Sequence, residues 1–220
     1  NATISLAERI GAPHYPYPLP VLARDPAALK LGRSIFGNTC STCHGSSAQG
    51  AIGYPNLTDT IWQWGGTPDD VLTSIQQGRQ GVMAPWGEVL RGTGGDQAVE
   101  YVIAYVRTLS QKNANLQNDI MASQGKKLYD GVCVSCHGAN GKGNPQLGAP
   151  DLTDGYWLYG DSTESLRQTI NDGRHGVMPA HKELLGDTGT RLVGGYVWSL
   201  AHGKGATTTT ATAPAASTAR

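Results

Sequence analysis

Two runs of this chain place two thiols and an imidazole at one and the same spacing: Cys40-Ser41-Thr42-Cys43-His44 and Cys133-Val134-Ser135-Cys136-His137. Thiols about one helical turn apart can add to the two vinyl groups on one edge of a porphyrin. The histidine that follows then brings its imidazole beneath the iron as proximal ligand. Cys-x-x-Cys-His is the attachment pattern of a c-type haem. The two runs use all four cysteines of the chain. The reading is therefore two covalent haems c, attached through Cys40, Cys43, Cys133 and Cys136, with His44 and His137 as iron ligands.

Other chemistries of paired cysteines fit less well. A single zinc shared by two Cys-x-x-Cys pairs would need the pairs joined by a short loop, and it would leave both histidines unexplained. A thioredoxin-like redox pair expects a βαβ setting, whereas the flanks here read as helices. A disulfide framework belongs to shorter, cysteine-dense chains.

An iron that only carries electrons needs a sixth ligand, and a methionine thioether raises its potential. Of three methionines, Met83 and Met178 lie in matching stretches, Gly-Arg-Gln-Gly-Val-Met and Gly-Arg-His-Gly-Val-Met. The expectation is that Met83 serves the iron of His44 and Met178 that of His137. Met121 has no twin. Each ligating histidine should donate its second ring N–H to an acceptor, and the carbonyls of Pro55 and Pro150 are the candidates. Arg79 and Arg174 suit propionate carboxylates. Trp62, Trp64, Trp157 and Tyr159 are placed against the haem faces and edges. His175 and His181 read as surface histidines.

The elements that must position these groups repeat along the chain. Residues 1–24 are proline-rich and read as an extended arm, with His14 exposed in it. A first domain, 25–110, opens at Asp25-Pro26, a helix cap with proline at the first position, and runs along Ala28, Leu31, Gly32, Ile35 and Phe36 into Cys40. Thr67, Pro68, Asp69 and Asp70 open a second helix that stops at Gly78. Gly78–Gly87 reads as a loop, and a last helix from about Asp96 carries Val99, Val102, Ile103, Val106 and Leu109. Residues 111–121 are a polar linker. A second domain, 122–203, repeats the plan with two extra residues in its glycine loop, and its last helix carries Leu192, Val193, Tyr196, Val197 and Leu200. Gly32 and Gly125 should let each first helix approach Tyr105 and Tyr196 of the last helices. Residues 204–220 form a Thr/Ala-rich tail.

The totals narrow the partners. With 220 residues and a formal net charge of zero, nothing points to nucleic acid. The chain holds 30 glycines and one phenylalanine, so something other than side chains must fill its core, and a haem in each half would. No apolar run of about 18 residues or more spans a bilayer, and no export signal opens the chain. Covalent haem attachment places the chain on the periplasmic side. It reads as a mature chain or fragment.

On Pro-Asn-Leu-Thr-Asp at 55–59, Trp-Gly-Gly-Thr at 64–67, Leu-Gly-Ala-Pro-Asp-Leu-Thr-Asp at 147–154, Trp-Leu-Tyr-Gly at 157–160 and the two methionine stretches, the chain resembles tandem class I cytochromes c. Within them it is similar to the dihaem subunit of cbb-type haem–copper oxidases. The resemblance covers about residues 20–203. It implies an all-α fold of two cytochrome c domains, each wrapped around a haem, and a non-catalytic relay from a soluble donor, a small cytochrome c or cupredoxin, to the oxidase subunits. It also implies periplasmic attachment through an N-terminal anchor or a partner. Met178 is followed by proline as is usual there, whereas Met83 is followed by Ala84-Pro85. The rival readings are a free periplasmic dihaem carrier and a dihaem enzyme of the peroxidase or thiosulfate dehydrogenase type.

Overall fold

The computed structural model describes residues 17–110 and 120–203. The expectations for residues 1–16, His14 among them, for 111–119 and for the tail 204–220 lie outside the described residues. Residues 17–24 differ from the extended arm expected of them. Leu19–Leu22 form a helical turn, α1, and Leu19 and Leu22 are fully buried. The apolar side chains decide this, because Leu19 and Leu22 settle on Gly194 and Gly195, where no Cβ stands in the way.

Helix α2, Pro26–Ile35, is started by Asp25, whose carboxylate accepts from the N–H groups of Ala27 and Ala28. It runs through a π-helical turn, Phe36–Cys40, into the short α3, Ser41–His44. Helix α4, Pro68–Gln77, has a reciprocal capping box between Thr67 and Asp70. Then come strand β1, Arg79–Met83, and helices α5, Gly87–Gly94, and α6, Ala98–Leu109. The second repeat supplies α7, Ile120–Val132, α8, Val134–His137, α9, Thr163–Asp172, strand β2, Arg174–Met178, and α10, Lys182–His202, which is broken at Gly186. The polar linker thus ends before Ile120, a strand runs through the expected loop Gly78–Gly87, and helix α5 fills the unassigned stretch before Asp96.

The two strands form an antiparallel ribbon with Arg79 opposite Met178, Gly81 opposite Gly176 and Met83 opposite Arg174. Alternation puts Gln80, Val82, His175 and Val177 outward and the arginines and methionines inward. Gly78 and Gly173 precede the strands with φ of 71° and 73°. A Cβ at Gly78 would stand 2.3 Å from the Met178 carbonyl oxygen, and one at Gly173 2.2 Å from that of Met83. Only glycine allows this backbone-on-backbone approach.

The ribbon marks a crossing. One core joins Leu19, Leu22, Ala28, Ile35, Phe36, Val71 and Ile75 to Leu185, Leu192, Val193 and Val197 of α10. The other joins Leu90, Val99, Val102, Ile103 and Val106 to Tyr129, Leu166 and Ile170. The packing units therefore do not follow the boundaries 25–110 and 122–203. One unit is continuous, built within residues 83–172 (end of β1, α5 to α9). The other is split, with α1 to α4 closed by Met178 and α10. The last helix of each repeat packs on the first helix of the other, α6 on α7 and α10 on α2. Both faces of α6 and α10 are alike, so either pairing would bury them. Neighbouring elements in sequence usually pack together, and α6 meets α7 first.

Candidate metal centres

In the split unit, α2 and the π-helical turn end on Cys40, and α3 presents Cys43 and His44. His44 is buried, and its Nδ1 lies 3.1 Å from the Pro55 carbonyl oxygen. In the continuous unit His137 is buried likewise, with Nδ1 3.2 Å from the Pro150 carbonyl oxygen. A carbonyl only accepts, so Nδ1 carries the proton and Nε2 presents its lone pair. Two glycines make room for these carbonyls: a Cβ at Gly50 would sit 2.7 Å from Pro55 O, and one at Gly143 2.6 Å from Pro150 O. Burial pushes both imidazole pKa values down, partly offset by the proline carbonyls, and a nearby His181 adds to the lowering at His44. Burial, with the neighbouring thiol, pushes the Cys40 and Cys133 thiols up to about 11. Among the described residues no three His, Cys, Asp or Glu side chains converge, and none of the four cysteines is in a disulfide.

The methionines go to the opposite motif from the one expected. Met178 packs against the core of the split unit together with Cys40, Leu57 and Trp62. Met83 packs with Cys133, Leu152 and Trp157 in the continuous unit. Trp62 and Trp157 thus stand in the two clusters as partly buried walls. Arg79 donates to Ser74 Oγ at 2.8 Å and to the Asp70 carbonyl at 3.2 Å, with its guanidinium over Trp64. Arg174 donates to Thr169 Oγ1 at 2.9 Å and to the Ser165 carbonyl at 3.3 Å, and lies over Tyr159. Trp64 and Tyr159 themselves belong to the seam between the units. Trp64 covers Gly148 of the continuous unit, and Tyr159 approaches Gly53 of the split unit. Gly53 N–H also donates to Leu158 O at 2.8 Å, and the Tyr156 hydroxyl accepts from Asn56 N–H at 3.2 Å.

These residues fit a haem c in each unit. Two thiols precede a buried imidazole of defined tautomer, a thioether lines the same apolar cluster, and among the described residues one buried side-chain polar atom lacks a hydrogen-bond partner: His181 Nδ1. His181 is therefore not the surface histidine expected, whereas His175 lies on the outward face of the ribbon, 2.9 Å from Gln80 Nε2. Aligning the repeats would have flagged His181, because its counterpart is Trp86, an aromatic packed on the core of the continuous unit.

A sequence model of the family described as Cytochrome C oxidase, cbb3-type, subunit III matches residues 27–106 and 121–197. The chain belongs to this family. It is 43% identical over 195 residues to the Cbb3-type cytochrome c oxidase subunit FixP of Bradyrhizobium diazoefficiens, covering 82% of this chain and 65% of that protein. With FixP of Bradyrhizobium sp. (strain ORS 278) the identity is 40%, over 83% of this chain and 66% of the relative. With subunit CcoP of Rubrivivax gelatinosus it is 39%, over 84% and 59%. The chain thus spans just under two thirds of the length of these relatives. Membership makes covalent haem c the cofactor, and two matched segments accord with two haems. Each segment ends in the helix that packs on the other repeat's first helix.

Proposed function

We propose that this chain is the dihaem electron-transfer subunit of a cbb3-type haem–copper oxidase. It would take electrons from a soluble donor, a small cytochrome c or a cupredoxin, and pass them to the oxidase subunits of a membrane-anchored complex on its periplasmic side. Among the described residues no helix is long and apolar enough to cross a membrane, so the described part would stand outside the bilayer.

Each bound haem supplies a one-electron iron(III)/iron(II) couple. In the split unit Cys40 and Cys43 would attach the haem, and His44 and Met178 would hold its iron. In the continuous unit Cys133 and Cys136 would attach it, and His137 and Met83 would hold its iron. The observation that carries this reading is the packing of each methionine with the opposite motif's cysteine. The proline carbonyls of Pro55 and Pro150 hold each imidazole with Nε2 free. The thioethers favour iron(II) and so raise the potential. With a histidine and a methionine of the chain on each iron, peroxide or thiosulfate would find no open position there, which supports relay over catalysis. Arg79 and Arg174 keep guanidinium donors at the ends of the ribbon for carboxylates of the cofactor.

Purification from detergent-solubilised membranes tests the proposal. The expected result is a chain of mass plus two haems that co-purifies with a haem–copper subunit and does not turn over peroxide. A chain recovered alone would favour a free dihaem carrier, and peroxide or thiosulfate turnover by the isolated chain would overturn the relay.

A further inference from the structure

The two units differ at one position directly behind their methionines. His181 and Trp86 occupy the same backbone place: His181 N–H donates to Ile75 O at 2.9 Å, and Trp86 N–H to Ile170 O at 2.8 Å. Both thus start the helix after the ribbon while pinned to the end of α4 or α9. Trp86 ends in an apolar cluster. His181 ends in a buried Nδ1 with no hydrogen-bond partner. His181 follows Met178 by three residues, and its N–H is held by Ile75 of the core on which Met178 and Cys40 pack, so it stands beside the pocket of the split unit.

A buried polar nitrogen is rarely left without a partner. The protein offers none, and the group that the pocket is built to hold carries carboxylates. We propose that His181 is a positioning and tuning residue of the split unit, donating its Nδ1–H to an acidic acceptor of the bound haem. The inference rests on the assignment of that haem to His44 and Met178. A hydrogen bond to a haem carboxylate offsets negative charge that would otherwise favour the more positive iron(III). His181 therefore raises the potential of the split unit. Trp86, whose ring packs against the apolar core of the continuous unit, does not do the same there. The two haems thus become unequal through one side chain.

The test uses the full dihaem protein. Both potentials are measured by spectroelectrochemical titration in the native chain and in His181→Phe, His181→Asn and Trp86→Phe. The haem of the split unit is identified as the one whose potential Met178→His displaces. His181→Phe is expected to lower that potential by at least tenfold in the reduction equilibrium, about 59 mV for one electron, with the sulfur–iron(III) absorption intact. His181→Asn, which keeps an N–H donor, should restore most of it, and Trp86→Phe should leave it unchanged. Unchanged potentials in His181→Phe would overturn the proposal. So would a shift accompanied by loss of the sulfur–iron absorption, which would mean a ligand or packing change. Disappearance of a bis-imidazole spectrum in His181→Phe would overturn it too, by making His181 a ligand. Failure of the underlying assignment reads differently: the native protein would lack the sulfur–iron absorption, or Met178→His would displace the haem bound at Cys133.

Discussion

The continuous and the split unit contain the same parts in a different chain order. In the continuous unit the methionine and the last helix come first, and the attachment motif follows. All of its pieces lie between Met83 and Asp172. In the split unit the attachment motif comes first, and the methionine and last helix arrive only after the whole continuous unit has been made. The crossing sits at Gly81 opposite Gly176, where Trp64 and Tyr159 lie over the two glycines. A repeat in sequence is thus not necessarily a unit of packing. The split unit also closes a far longer loop than the continuous one, which slows assembly more than it weakens the final state.

The harshest way to break this comparison is to end the chain after Asp172. Read as two domains in series, that cut would strip Met178 and α10 from the motif at Cys133. Read from the structure, it strips them from the motif at Cys40, removing Leu185, Leu192, Val193 and Val197 from its core. Both haems should stay attached, since the four cysteines remain. Limited proteolysis with mass spectrometry should find the haem-bearing segment around Cys133 protected and that around Cys40 degraded. The converse would dissolve the crossing. A gentler form of the same test is Met178→His. Imidazole in place of thioether should lower the potential of the haem on Cys40 and Cys43 by well over the about 59 mV of one tenfold step, and leave the haem on Cys133 and Cys136 nearly alone. Met83→His should do the reverse. Nuclear magnetic resonance of the intact protein through a redox titration, each haem being assigned through its own attached cysteines, tells which one shifts.

Local chemistry made much of the site legible. Asp25 before Pro26, and Thr67 three residues before Asp70, announce helix starts because a cap is satisfied within one turn. The approach of His44 to Pro55 follows from a motif and a glycine loop only eleven residues apart. What failed were choices between equivalent partners. Gly32 does abut a last helix, but at Leu192 and Tyr196 of α10, and Gly125 abuts Tyr101 and Tyr105 of α6. The first-helix glycine and last-helix tyrosine of one repeat match those of the other, so no residue type distinguishes the two pairings. The strands were missed for a related reason. Each is five residues long with a central glycine, and its partner lies in the other repeat. Helix α1 was hidden by the prolines around Leu19, which are tolerated because Pro20 falls within the first turn.

These close approaches offer a finer test. A Cβ at Gly32 would stand 2.3 Å from Leu192 O, and one at Gly125 1.8 Å from Tyr101 O. Backbone cannot step aside as a flexible side chain can. Gly32→Ala and Gly125→Ala should each destabilise their unit by about 1–3 kcal/mol, as overpacking does, with Gly125→Ala the worse. Hydrogen exchange read by mass spectrometry separates the pairings. Gly32→Ala should speed exchange in α10 and spare α6, and Gly125→Ala should speed it in α6 and spare α10. Loss of protection in α6 on Gly32→Ala would restore the pairing within each repeat.

The smallest expected effect concerns one hydroxyl that only the continuous unit has. Tyr129 is fully buried, packs edge-on to Tyr105 with ring centroids 5.1 Å apart, and donates to the Gly138 carbonyl at 2.7 Å. Burial pushes its phenol pKa far up, so the group remains a neutral donor. It ties the turn after His137 to the helix before Cys133. The split unit has Phe36 at this place, also buried and tilted against Tyr196 at 5.5 Å, and its turn at Gly45 receives no such bond from it. Tyr129→Phe keeps the ring and removes the bond, leaving a carbonyl to find water. A net loss of about 1 kcal/mol is expected, confined to the continuous unit. It should appear as faster exchange of the amides from Gly138 to Gly141 and a lower denaturant midpoint for the haem at Cys133, with the haem at Cys40 unchanged. An equal loss in both units would mean that they do not unfold separately. The comparison would then describe chain order within a single cooperative fold, not two units of distinct stability.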